Sequence, residues 1–295
     1  MRRRLDNELV RRGLARSRHQ AADLVARGVV LVGGAVAEKP ARLVDESEPV
    51  VVAPAGPRFV SRGGEKLDAA LARFAISVEG RRCLDAGAST GGFTDCLLQR
   101  GAAHVTAVDV ARGKIDPRLR ADGRVTLLER TNIRHLDRAS TSGLGFEVVV
   151  ADLSFISLTS VTDVLADRLA DPGTDLVLLV KPQFEVGRQV ASRGKGVVKD
   201  PAERRAALER VVLALASARA RVVAAMASPL LGPSGNAEFL LHATAHDSKD
   251  GPGAVAGGVD EATGRMLDDA VDAAPDRPSK QARKVPMGKV KDLVP

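Results

Sequence analysis

Through the middle of the chain, short unbroken apolar runs alternate with stretches whose apolar residues recur every three or four positions. The first kind reads as buried strand and the second as amphipathic helix. Strands are expected at Arg82–Ala86, His104–Val110, Val125–Glu129, Phe146–Leu153 and Thr174–Pro182. A helix over Gly91–Arg100 follows the first of them, with Phe93, Leu97 and Leu98 on its apolar face and Thr90 as its expected N-cap. A longer helix, about Pro201 to Ala220, places Leu208, Val211, Val212 and Leu215 on one side. Two more strands, Arg221–Ser228 and Ala237–Thr244, are joined by PLLGPSGN and pair most naturally antiparallel. Alternation of this kind predicts a doubly wound α/β sheet of about seven strands.

The ends of the chain carry different patterns. Leu5, Leu9 and Val10, then Ala21, Ala22, Leu24 and Val25, mark two short helices separated by Gly13-Leu14-Ala15, with Ser17 capping the second. VVLVGGAVAEKPARLV reads as a hairpin turning at Gly33-Gly34, and PVVVA as a further strand. Residues 1–55 thus form a small α+β unit, and residues 56–63 a linker rich in turn formers. After the linker, Leu67, Ala70, Leu71 and Phe74 share a helix face, with Lys66 near the helix start, where its charge opposes the helix dipole. From residue 246 to residue 295 periodicity is lost amid Gly, Pro and Ala, and the segment is expected to be a largely disordered tail.

Charge narrows the picture. There are 44 Lys+Arg against 37 Asp+Glu, and residues 1–27 alone hold eight arginines against three acids. That imbalance favours a polyanionic partner. With seven Phe and neither Tyr nor Trp, rows of stacked aromatics are hard to build, so RNA would be held by cations and shape. Cys83 and Cys96 both lie in apolar segments and read as core residues; their spacing suggests neither zinc nor a disulfide. No apolar h-region follows the basic N-terminus and no apolar run reaches membrane-spanning length, which predicts a cytoplasmic protein.

The candidate chemistry starts at LDAGASTGGFTD, residues 84–95. An apolar strand runs into Asp85, then into small residues that let a ligand approach the backbone, then into a helix. The spacing is not that of a dinucleotide fingerprint, and no Walker lysine follows. Asp109, 22 positions after Gly87 at the next strand's end, suits ribose hydroxyls. NAD and S-adenosylmethionine both remain open, and a carboxylate just before the turn favours the second. Asp152 in ADLSF, Lys181 in LVKPQFE, Glu238 in GPSGNAEFLL and Lys66 in SRGGEKL all converge on the same sheet edge as the turn.

Two resemblances follow from these stretches. RLDNELVRRGLARSRHQAADLVARGVVLVGG…KP resembles the S4 RNA-binding domain. LDAGASTGGFTD, VVADLSFISL, VKPQFEVG and SPLLGPSGNAEF, after SRGGEKL, resemble the TlyA family of rRNA cytidine-2′-O-methyltransferases, whose catalytic domain is FtsJ/RrmJ-like. The resemblance implies a Rossmann-like class I methyltransferase domain over 64–245, with S-adenosylmethionine as methyl donor and ribosomal RNA or ribosomal subunits as partner. It implies Lys66, Asp152, Lys181 and Glu238 as the catalytic tetrad of ribose 2′-O-methylation. It also implies cofactor contacts at Asp85, Gly87, Ala88, Ser89, Thr90, Gly91, Gly92, Phe93, Asp109, Asn132, Asp152 and Phe155. RNA contacts are implied at Arg4, Arg16, Arg18, Lys39, Arg62 and Arg130. Phe59 stands where close relatives carry Trp. Competing expectations are an S4 RNA-binding protein with an inactive methyltransferase domain, a membrane-active haemolysin, and an NAD-dependent oxidoreductase. Oligomeric state is left open, with a monomer as the default.

Overall fold

The computed structural model describes residues 2–26, 29–52, 58–141, 143, 145–186, 196–246 and 259–275. The chain divides into two compact units, Met1–Arg58 and Phe59–Pro295.

In the first unit, β1 (Arg3–Arg4) leads into α1 (Leu5–Arg11), followed by α2 (Arg18–Ala26). Then come β2 (Val30–Val32), β3 (Ala35–Val36), β4 (Leu43–Val44) and β5 (Val50–Val52). The β2–β3 hairpin turns at Gly33 and Gly34, whose φ values of 61° and 84° fit the left-handed backbone that a two-residue hairpin loop needs. β5 pairs antiparallel with the other side of β2, and β1 pairs with β4. Leu5, Leu9, Ala21, Val25, Val30, Val32 and Val50 meet in one small core. Ser17 Oγ accepts from Gln20 N at 3.2 Å, the cap expected at the start of α2.

The second unit opens with α3 (Arg62–Arg73), so the last residues of the expected linker are helical. Phe59 is also fixed, because a side chain at Gly64 would collide with its ring and glycine there lets the two pack. β6 (Arg82–Ala86), α4 (Gly92–Gln99), β7 (His104–Asp109), the short α5 (Pro117–Arg120), β8 (Val125–Glu129) and β9 (Phe146–Ala151) follow. Next are β10 (Ala170–Val180), the short α6 (Pro182–Glu185), α7 (Pro201–Ser217), β11 (Ala220–Ala227), β12 (Phe239–Ala245) and α8 (Glu261–Asp272). The sheet order is β11-β12-β10-β9-β6-β7-β8. β12 runs antiparallel to both neighbours, while β10, β9, β6, β7 and β8 pair in parallel. Alternate strand residues feed two cores. Leu84, Val149 and Leu178 pack with Leu208 and Val211 of α7 on one face, and Cys83, Val148 and Val177 pack with α3 and α4 on the other.

Three expectations need correction. Thr90 does not cap α4; Gly91, at φ 95°, is the cap residue, because the chain must turn left-handed there. β10 starts at Ala170, four residues early, with a register shift before Asp175. The tail is not uniformly irregular. Asp260 caps α8 by accepting from Thr263 N, and Leu267, Ala270 and Val271 are buried in the core shared with α7 and β11. Residues 247–258 and 276–295, with the basic cluster from Arg277 to Lys291, lie outside the described residues.

Candidate active site

The sheet reverses its order between β6 and β9, and a crevice at the carboxyl ends of such strands is where α/β proteins bind ligands. A cavity of about 920 Å³ opens there, and the described residues that line it all lie between Ser61 and Glu238.

One wall is the turn from β6 to α4: Gly87, Ala88, Ser89, Thr90, Gly92 and Phe93. Backbone bonds pin it to the end of β7, with Gly87 N and Ala88 N donating to Val108 O, and Ser89 N to Asp109 Oδ2 at 2.7 Å. Gly87 sits at φ 89°, and a Cβ there would lie 2.6 Å from the Asp152 carbonyl oxygen. Only glycine lets β9's end approach this closely. Gly92 plays the same part for α3, since a Cβ would lie 2.2 Å from Ser61 Oγ.

Asp85 lies beneath this wall rather than on it. It is fully buried; Thr94 Oγ1 donates to Oδ2 at 2.6 Å, while Oδ1 has no partner. Burial pushes its carboxyl up to about 7, opposed by the Thr94 bond and reinforced by the charges of Asp152 and Asp109. Asp109 braces the turn from behind, accepting also from Ala111 N at 2.7 Å. Asn132 accepts from Arg134 N and caps the short 3₁₀ turn Ile133–His135. Neither Asp109 nor Asn132 lines the cavity, and Gly91, likewise off the lining, sets the turn's path.

The same cavity is lined by the four charged residues, which form two ion pairs. Lys66, on α3 and 6% exposed, donates to Glu238 at the start of β12, which is 1% exposed. That partner removes the conflict between Lys66 and the helix dipole. Lys181, at the end of β10, has Nζ 2.5 Å from Asp152 Oδ1 and donates to Ser154 Oγ at 2.8 Å. The Asp152 contact is an ion pair by distance, outside hydrogen-bond geometry. Phe155 is 93% exposed at φ 66°, its ring 5.5 Å from that of Phe184, and both border the cavity.

Ser61, Ser154, Gln183, Phe184, Ser234 and Asn236 also line the cavity and were not singled out from the sequence. Ser154, Gln183, Phe184, Ser234 and Asn236 sit inside the very motifs that carry Asp152, Lys181 and Glu238, so proximity in sequence was the available signal. Arg62 borders the cavity and donates to Leu231 O at 2.6 Å, and Arg130 is exposed after β8. Arg4, Arg16, Arg18 and Lys39 are exposed on the first unit.

The residues present fit S-adenosylmethionine. The first turn of α4 supplies N-terminal amides and the positive end of a helix dipole, suited to a carboxylate. The partly exposed Asp152, which lines the cavity, suits a cationic centre. The glycine-lined cradle leaves room for the rest.

Residues 59–245 match the FtsJ-like methyltransferase model and residues 3–50 the S4 domain model. The 16S/23S rRNA (cytidine-2′-O)-methyltransferase TlyA of Mycobacterium tuberculosis is 52% identical over 243 residues, covering 81% of this chain and 88% of that protein. Hemolysin A of Brachyspira hyodysenteriae is 36% identical over 239 residues, 81% of this chain and 98% of that one. A solved structure from Streptococcus thermophilus, provisionally named a hemolysin, superposes with a TM-score of 0.67 at 34% identity, covering 92% of this chain and 94% of that one. Among the described residues no helix is long and apolar enough to cross a membrane. With a methyltransferase sheet, a glycine-walled cofactor crevice and an S4 unit before them, this chain belongs to the FtsJ-like methyltransferase family.

Proposed function

We propose that the protein methylates the ribose 2′-hydroxyl of a cytidine in ribosomal RNA, using S-adenosylmethionine. The observation that carries this reading is the pairing of two lysines with two carboxylates in the lining of the cavity that the glycine turn also borders. Bound S-adenosylmethionine supplies a methyl group already activated as an electrophile by its sulfonium. The work left to the protein is alignment, proton removal and exclusion of water.

Gly87 to Phe93 hold the cofactor, with Asp85 and Asp109 fixing the turn from below and behind. Lys181, held in place by Asp152 and Ser154, orients the hydroxyl, and in its neutral amine form it would accept the hydroxyl proton. Lys66 and Glu238 form the second pair in the lining and keep the local charge balanced. Phe155 and Phe184 offer apolar ring faces beside Lys181, where a nucleobase attached to that ribose would rest.

The exposed cations of the S4 unit, together with Arg62 and Arg130, bring the RNA. Ribosomal subunits are the physiological form of that substrate, and the cytoplasm is its location.

The test is methyl transfer from labelled cofactor to purified small and large ribosomal subunits, followed by mass mapping. The expected product is 2′-O-methylcytidine. Lys181→Ala is expected to lower turnover by about 10²- to 10⁴-fold at saturating RNA and cofactor. Full turnover in that variant, or a methyl group on a base, overturns the assignment.

A further inference from the structure

Two carboxylates are buried in the first unit, Asp6 at 4% and Glu8 at 1% exposure, and both lie on α1. Each holds two arginines. Asp6 accepts from Arg4 through Nε (3.1 Å) and Nη2 (2.8 Å), from Arg18 Nη2 at 3.1 Å, and from Asn7 N at 2.8 Å. Glu8 accepts from Arg11 through Nε and Nη2 and from Arg12 Nε.

The two arrangements differ in what the arginines have left to give. Arg12 also donates to the carbonyl oxygens of Glu46 and Glu48, and Arg11 pairs with Glu46. The Glu8 pair therefore ties α1 to the turn before β5, and its arginines are structural. Arg4 and Arg18, with side chains 45% and 62% exposed, have no partner other than Asp6 among the bonds of the described residues. One reaches Asp6 from the residue before α1 and the other from the first residue of α2, twelve positions away from it in sequence. The shared carboxylate brings their guanidinium groups side by side with most of their N–H donors still facing solvent.

We propose that Asp6 is a positioning residue for RNA binding: it sets Arg4 and Arg18 as a preorganised guanidinium pair that grips RNA phosphate. The inference rests on the reading of the first unit as the RNA-binding part. Long arginine side chains lose rotamer freedom when they engage phosphate, and an anchored pair has lost it beforehand. Bidentate phosphate recognition also depends on the direction of the fork as well as on its charge. The Arg4 bonds hold the Asp6 carboxyl down to about 2, ahead of an opposing effect of burial, so the anchor stays ionised at any working pH.

Simple electrostatics expects the opposite result. Removing an acid near bound phosphate raises the net positive charge and should tighten binding. Asp23 supplies the comparison. It is exposed on α2 at 66% of its side chain, holds no arginine, and lies 3.7 Å from His19. Asp6→Asn and Asp23→Asn change net charge equally, and only the first releases the guanidinium pair.

The experiment measures binding of the full chain to purified ribosomal RNA across a salt series, beside cofactor affinity and thermal melting. Asp6→Asn is expected to weaken RNA binding by about three- to tenfold while Asp23→Asn leaves it equal or tighter. Cofactor affinity stays unchanged in both, and in an Arg18→Ala background Asp6→Asn costs less than in the native chain. Should Asp6→Asn fail to fold, Asp6→Glu keeps the charge but moves the carboxylate by one methylene, and a loss of RNA binding is again expected. Asp6→Asn or Asp6→Glu binding RNA as tightly as the native chain, while Arg18→Ala binds weakly, overturns the positioning role and leaves the RNA-binding face intact. Undiminished binding by Arg18→Ala and Arg4→Ala overturns the reading of that face, and the positioning role with it.

Discussion

Asp85 shows how far one buried carboxylate can set behaviour. Burial holds its carboxyl up to about 7, against 3.8 for an unperturbed Asp. The folded chain therefore takes up a proton between these values that the unfolded chain does not. Its contribution to stability is fully present below about pH 4 and is lost as pH rises through about 7, at roughly 1.4 kcal/mol per pH unit. Asp85→Asn removes that slope and keeps an acceptor for Thr94. Its melting temperature is expected to change less between pH 5 and pH 8 than that of the native chain. Parallel melting curves over that range would contradict the assignment. Residues of this kind were legible in sequence because they end apolar runs: Asp85, Asp109, Asp152 and Lys181 each stand where a strand meets its loop. What sequence could not show was depth. Asp85 is under the turn and Asn132 serves as a cap away from the cavity, distinctions made by packing between segments far apart in the chain.

At the level of elements, the strand ends are useful only if their loops are held, and Glu185 holds two of them. It is buried at the end of α6, where Ser157 Oγ donates to it, as does Leu158 N at 2.8 Å, while Arg210 Nη1 donates to its carbonyl oxygen. This clamps the loop carrying Asp152, Ser154 and Phe155 to the turn that follows Lys181. Glu185→Ala leaves the Leu158 amide unpaired, at about 1–3 kcal/mol of stability. It is expected to lower kcat by about tenfold or more through misplacement of the Lys181–Asp152 pair. Cofactor affinity, set by the Gly87–Phe93 wall, is expected to stay near native, and Glu185→Gln to recover most of kcat because it retains an acceptor. A loss of cofactor affinity matching the loss of kcat would remove the clamp as the cause. Glu185 was not read from the sequence, since its partners lie 27 and 28 residues away. The parallel strands were legible because both faces are covered and their runs are almost wholly apolar. α8 was missed although Leu267, Ala270 and Val271 have helical spacing, because the Gly-rich stretch before it dominated the local composition.

For the whole molecule, charge and chemistry divide between the two units. Residues 1–58 hold eleven Lys+Arg against seven Asp+Glu, so a fifth of the chain carries more than half of the net +7. Every described residue lining the cavity lies between Ser61 and Glu238, in the other unit. Each unit has a core of its own, and among the described residues the backbone bonds that tie the cofactor turn to the rest of the fold run to β7, to the end of β9 and to Asp116. Removing residues 1–58 is therefore expected to leave cofactor affinity close to that of the full chain. Methylation of ribosomal subunits should fall steeply, mainly through a raised KM for RNA, because the missing cations act by electrostatic capture of phosphate. The salt dependence of RNA binding should flatten in the shortened chain, by about 0.7–0.9 in log–log slope for each phosphate that the chain no longer neutralises. Calorimetric titration with the cofactor, and methyl transfer measured over a range of subunit and salt concentrations, separate these effects. A shortened chain that loses cofactor affinity would mean that the crevice depends on the first unit. One that keeps the native KM for RNA would mean that Arg62, Arg130 and their neighbours suffice to hold the substrate, and that the S4 cations serve some other step.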